Sequence, residues 1–223
     1  TYISKQDVAS VNENMKGDFI GIGVHFYDYK DTISVIRPIK GGPSFRAGIK
    51  PGDRILMADN DTIHGPFWSQ DKVIQKLRGP KNSKVRLQIK RANTDSLLAF
   101  EVIRSEVPIK SVDAFFMMSP SLGYIKVNRF AESTFLEFEK GIESLISKGA
   151  TNLVLDLRDN PGGFLQIAEQ IADEFLEAGK LILFTKNKSD QVIKRYATEK
   201  GRFENAEVYV LINENSASAS EIV

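Results

Sequence analysis

"LVLDLRDNPGGF", residues 153–164, decides how the second half of this 223-residue chain is read. Its first half is leucine and valine broken by Asp156, the composition of a buried strand. Its second half is a Pro-Gly-Gly turn, which opens into "GFLQIAEQIADEFLEAG", whose apolar residues recur at helical spacing. Strand, glycine turn and amphipathic helix in that order make one unit of a layered α/β domain. The turn leaves bare backbone N–H groups at Gly162 and Gly163, which could receive a developing negative charge. Read alone, it is equally a connection that needs positive φ.

The same rhythm extends on both sides. "LGYIKVNRF" (122–130), "KLILFT" (180–185) and "EVYVLIN" (207–213) read as strands. "STFLEFEKGIESLISKG" (133–149) reads as a helix with Phe135, Phe138, Ile142, Leu145 and Ile146 on one face. Thr134 with Glu137 makes a capping box for it, and Gly149 closes it. Upstream the pattern is short and β-rich: "IGIGVHF", "TISVIRPI", "RILMADN", "KVRLQIKR" and "LLAFEVIRS". Two short helices interrupt it, "SFRAG" ending at Gly48 and "SQDKVIQKLRG" capped by Ser69. Residues 1–16 form a lead-in of weak helical character. The expected division is therefore 1–16, then a β-rich domain over 17–105, then an α/β domain over 106–223, with Pro108 in the joint.

Composition removes several classes. A net charge of +1 gives no electrostatic footprint for nucleic acid or an anionic membrane. Zero cysteines exclude disulfides, thiol nucleophiles and Cys-rich metal sites, without fixing the compartment. No apolar run approaches a membrane span, and a chain opening on Thr1 reads as a piece of something longer.

Two segments carry chemistry. "FIGIGV" (19–24) sets two glycines one residue apart at a strand entrance, so that the amides of Ile22, Gly23 and Val24 can form a nest for an anion such as a peptide carboxylate. Without a ligand it is a glycine-rich turn. "INENSASASEIV" (212–223) runs from a strand into Ser216, Ser218 and Ser220. A serine nucleophile needs a base and an oxyanion hole. The two histidines, His25 and His64, both lie in the β-rich half, which leaves a Ser-Lys arrangement rather than a Ser-His-Asp triad. Metal ligation is not expected from two separated histidines. Ser218 with Glu221 also reads as a plain capping box at a helix start, with Ser216 and Ser220 as turn formers.

"GIGV", "GGPSFRAGIKPGDRILMADN" and "VIQKLRGPKNSKVRLQIKR" together resemble a PDZ domain of the type built into bacterial proteases, over about residues 17 to 104. "DLRDNPGG" followed by "NENSASASEI" resembles the C-terminal processing (tail-specific) serine proteases. The resemblance implies an α+β two-domain chain: a β-rich PDZ domain, then a C-terminally truncated, crotonase-like α/β serine protease core. It implies a groove at Gly21, Ile22, Gly23 and Val24 that takes polypeptide substrates by their free C-termini. It implies Ser218 as nucleophile, Ala219 with Gly162 or Gly163 as oxyanion donors, and Glu221 in an orienting or capping role. The family's base is a lysine some two dozen residues beyond the serine, absent from these 223 residues, so the chain alone is expected to be inactive. No cofactor, metal or nucleic acid is implied, and the setting that the resemblance implies is the bacterial periplasm or cell envelope, for an exported protein. Two other readings are a catalytically silent peptide-binding scaffold and an acyl-CoA enzyme of the crotonase type.

Overall fold

The computed structural model describes residues 17–29, 32–65, 67–198 and 201–223, so the expected lead-in over 1–16 lies outside the described residues. The chain divides into two compact units, one of them Asp18–Ile109 and the other including Lys110–Val223.

The first unit is built on short strands because its apolar residues alternate. In β6 (Lys84–Lys90) Val85, Leu87 and Ile89 are buried while Lys84, Arg86 and Gln88 are exposed. The main sheet has the order β2 (Val24–Asp28), β3 (Ile33–Pro38), β4 (Arg54–Ala58), β6, β7 (Leu98–Ile103), with β5 (Asp61–Thr62) paired to β4. A second ribbon pairs β1 (Asp18–Gly21) with β8 (Ser105–Pro108), Asp18 opposite Pro108 and Gly21 opposite Ser105. That pairing carries this compact unit beyond Ser105, to Ile109. Helix α1 (Pro43–Arg46) is followed by Gly48 at φ +86°, the left-handed position expected of a terminating glycine. Helix α2 (Gln70–Leu77) starts at Ser69, whose side chain accepts from the Lys72 amide at 3.4 Å, and buries Val73 and Leu77. Ile33, Val35, Ile55, Leu87, Ile89 and Val102 make the core beneath them.

The second unit is a four-stranded sheet in the order β14 (Val208–Leu211), β11 (Asn152–Asp156), β10 (Leu122–Val127), β9 (Val112–Met117). β11 runs parallel to both β10 and β14, whereas β9 is antiparallel. Helices α3 (Thr134–Ser147) and α4 (Leu165–Asp173) make the crossovers. Phe138, Ile142 and Leu145 of α3 pack with Ile125, Leu153, Leu155 and with Ala168 and Ile171 of α4. A hairpin of β12 (Leu181–Lys186) and β13 (Val192–Tyr196) follows.

Local expectations differ from the structure at three places. The Thr134–Glu137 capping box does not form: the Glu137 carboxylate instead accepts the amides of Ser111 and Val112 at 2.9 and 3.1 Å and the Ser133 hydroxyl at 2.8 Å. Capping the entry to β9 outcompetes capping its own helix, because two otherwise orphaned amides gain an ionised acceptor. Helix α4 stops at Asp173, well before Gly179, where the Glu174 carbonyl turns to accept the Phe203 amide at 2.9 Å. At Ser218 a single 3-10 turn (Ser218–Glu221) stands where a helix start was expected.

Candidate functional site

Among the described residues two places have the makings of a site, one in each unit. In the first, a cavity of about 160 Å³ lies between β2 and α2, lined by Phe19, Gly21, Ile22, Gly23, Val24, Phe26, Ile74, Leu77 and Arg78. All four expected groove residues line it. It is smaller than the roughly 300–1,000 Å³ of small-molecule pockets, and the side chains lining it are apolar except for the Arg78 guanidinium. The Ile22 and Gly23 carbonyls are held by the amides of Ser44 and Ile39 at 2.8 and 2.9 Å. Their own amides have no protein acceptor among the described residues. Gly23 stands at φ +71°, a backbone conformation that glycine adopts without strain. Beside them β2 is an edge of the main sheet among the described strands. His25 and His64 are exposed.

In the second unit the two glycine- and serine-rich turns face each other at the end of the sheet. β11 delivers 157–163 and β14 delivers 212–221, because the two strands are parallel neighbours with Asp156 opposite Leu211. The turns are laced together: the Ser216 hydroxyl donates to the Leu157 carbonyl at 2.8 Å, and the Ser220 hydroxyl to the Asn160 carbonyl at 2.9 Å. The side-chain amides of Asn213 and Asn215 both donate to Asp159, at 2.8 and 2.9 Å. Those two donors hold the exposed Asp159 carboxyl below its usual range. Of the three serines, Ser218 alone is exposed with a hydroxyl that has no partner among the described residues.

Ser218 sits at φ +56°, a left-handed conformation that costs a non-glycine residue on the order of 1 kcal/mol. Its amide donates to the Glu221 carboxylate at 2.8 Å, so half of the expected capping box is present and it orients the turn. The Ala219 amide is buried and has no protein acceptor among the described residues. Across from it, Gly162 approaches so closely that a Cβ there would lie 2.8 Å from Ser218 Cβ and 2.9 Å from the Ala219 nitrogen. The structure thus brings Gly162, Ser218, Ala219 and Glu221 together, with Gly163 next in the turn. The sequence reading passed over Asn160, Asp159, Asn213 and Asn215. A polar residue with no place in an amphipathic pattern, next to a glycine turn, was the only signal they offered.

The turn rests on Asp156, fully buried at the end of β11. It accepts the Tyr124 hydroxyl at 2.6 Å, the Arg158 amide at 2.9 Å and the Arg158 guanidinium at 2.7 and 3.0 Å. Burial alone would raise its pKa, but these donors outweigh it and hold the carboxyl well below the usual carboxylate range. The Tyr124 phenol is pushed up, by its burial and then by the carboxylate it serves. A carboxyl depressed in the fold contributes stability that is complete above the unfolded value near 4 and lost as pH falls through the folded value. Asp156→Asn should therefore cost about 2 kcal/mol at neutral pH, one charge-assisted bond's worth. It should also flatten the acid limb of a thermal-unfolding series. Identical acid limbs for the two proteins would refute this assignment.

Residues 121–223 match Peptidase family S41, and residues 21–102 match PDZ domain. A "Probable CtpA-like serine protease" of Staphylococcus aureus (strain N315) is 33% identical over 222 residues, 99% of this chain and 44% of that protein. The "Carboxy-terminal processing protease CtpA" of Bacillus subtilis (strain 168) is 33% identical over 225 residues, 100% of this chain and 47% of that protein. The chain thus spans a little under half the length of the curated relatives it matches. A solved structure from Bacteroides fragilis NCTC 9343, provisionally assigned to the S41 proteases, shares the fold with a TM-score of 0.54 at 20% identity. It matches over 92% of this chain and 60% of its own. The chain therefore joins a PDZ domain to a core of peptidase family S41.

Proposed function

We propose that this chain is the substrate-capturing and nucleophile-bearing part of a serine endopeptidase that recognises proteins by their C-termini. One observation carries the catalytic half: of three neighbouring serines, two have their hydroxyls committed to carbonyls across the turn, and Ser218 does not. Its strained backbone and the unsatisfied Ala219 amide beside it support the same reading. The two relatives, a CtpA-like serine protease and a carboxy-terminal processing protease, are of the same class.

In this mechanism an extended C-terminal segment adds to the open edge of β2, with its carboxylate at the Ile22 and Gly23 amides and its last side chain in the apolar cavity. At the second site Ser218 Oγ attacks a peptide carbonyl as a base removes its proton. The carbonyl oxygen becomes an oxyanion at the Ala219 amide and the glycine turn. The C–N bond then breaks, the base returns the proton to the leaving amine, and water hydrolyses the acyl-enzyme by the reverse sequence. The base is a lysine by family resemblance, and among the described residues none hydrogen-bonds the Ser218 hydroxyl.

That missing partner is also what favours the second reading, a silent peptide-binding scaffold. Acid-quenched mass spectrometry of the full-length protein with a substrate peptide separates the two. An acyl adduct on Ser218 supports the protease, and its absence under conditions where the peptide binds supports the scaffold. The groove has its own test. A peptide with a free apolar C-terminus should bind the Asp18–Ile109 unit at least about tenfold more tightly than its C-terminal amide, since each charge-assisted bond is worth about 1.5–3 kcal/mol. Equal affinities by calorimetry would remove the carboxylate from the groove.

A further inference from the structure

We propose that Asn160 is the positioning residue of the oxyanion hole, and that it fixes the donor pair as the amides of Gly163 and Ala219; this rests on the reading of Ser218 as nucleophile. Asn160 is fully buried, and both ends of its side chain are used. Its Oδ1 accepts the Gly162 amide at 2.9 Å, and its Nδ2 donates to the Val127 carbonyl at 2.9 Å, at the end of β10. Its own carbonyl accepts the Ala217 amide at 3.1 Å and the Ser220 hydroxyl at 2.9 Å. Ala217 and Ser220 bracket Ser218 and Ala219, so both ends of the nucleophile turn hang from one carbonyl. The side chain of the same residue holds the opposite wall to the sheet.

The Gly162 amide is thereby consumed and cannot also serve an oxyanion. The Gly163 amide, one residue on, has no protein acceptor among the described residues, like that of Ala219. An unpaired amide in a buried residue such as Ala219 is rare in folded proteins, and two unpaired amides beside a free serine hydroxyl are what a tetrahedral intermediate requires. Phe130 completes the arrangement. Its amide donates to the Gly162 carbonyl at 3.0 Å and its carbonyl accepts the Phe164 amide at 2.7 Å, which holds the peptide plane of Gly163 between two fixed neighbours.

The test uses the full-length protein and a peptide substrate. Asn160→Ala should lower kcat by about 10²–10³, the loss of one oxyanion donor, with KM within about twofold of wild type. Affinity for a peptide boronic acid, whose adduct with a serine hydroxyl is tetrahedral and anionic, should fall in parallel with kcat, while groove binding of a free-acid peptide stays constant. A folded Asn160→Ala protein with wild-type kcat overturns the proposal, and so does one in which boronate affinity is unchanged. Should that variant not fold, amide hydrogen exchange in the wild-type protein decides: the Gly162 amide should exchange far more slowly than that of Gly163, and equal rates overturn the assignment. Ser218→Ala, assayed in parallel, separates the two layers. Full activity in that variant sinks the nucleophile reading itself, whereas its inactivity beside a fully active Asn160→Ala sinks only the positioning role.

Discussion

Replacing Ser218 with alanine in the full-length protein should lower kcat for a C-terminally tagged substrate by about 10⁶-fold, the order seen when a serine nucleophile is removed. Peptide binding to the Asp18–Ile109 unit should not change, because that unit has its own core and its own groove. Cleavage that survives Ser218→Ala would place the chemistry on another residue and leave the strained serine turn without a role.

Gly163→Ala should be the most disruptive single-methyl change in the second unit. Gly163 stands at φ +147°, where an L side chain is strained whatever the space around it. Its Cβ would also fall onto the Phe130 carbonyl, closer than real Cβ atoms approach, and that carbonyl is fixed by the Phe164 amide. Backbone strain and overpacking at one point sum to about 4 kcal/mol, a large part of a domain's stability. The melting temperature of the unit should therefore drop steeply, and any folded remainder should bind a peptide boronate poorly. A protein of wild-type stability carrying alanine there would mean that the turn relaxes, and that its amide is not rigidly aimed.

Much of this was legible because the second unit's elements announce themselves. The leucines of 153–157 are too apolar for anything but a buried strand, and the α3 face repeats at helical spacing. What escaped the reading lacked periodicity. β9 carries Phe115 and Phe116 both exposed, and β13 is exposed along its length, so neither alternates. The β1–β8 ribbon depends on a pairing between distant segments that no local pattern encodes. In the same way Glu137 had the right spacing for a capping box, but distant amides claimed its carboxylate. The glycines and serines of the site could be picked out by residue type alone. Which serine is free could not, because that depends on where the Leu157 and Asn160 carbonyls end up. Asn160 was hidden for the same reason: its role exists only once Val127, Gly162 and Ala217 surround it.

The positive φ at Ser218 bears on how such a site could decay over generations. Active sites commonly hold residues in strained conformations at a cost that the rest of the fold bears. Here the backbone is already bent into a shape that glycine adopts without strain, so a mutation to glycine would abolish the hydroxyl and relieve the fold together. Folding therefore exerts no pressure to keep this serine. Only selection for the reaction can hold it in place, and a lineage released from that selection would have a downhill route to a silent, slightly sturdier descendant.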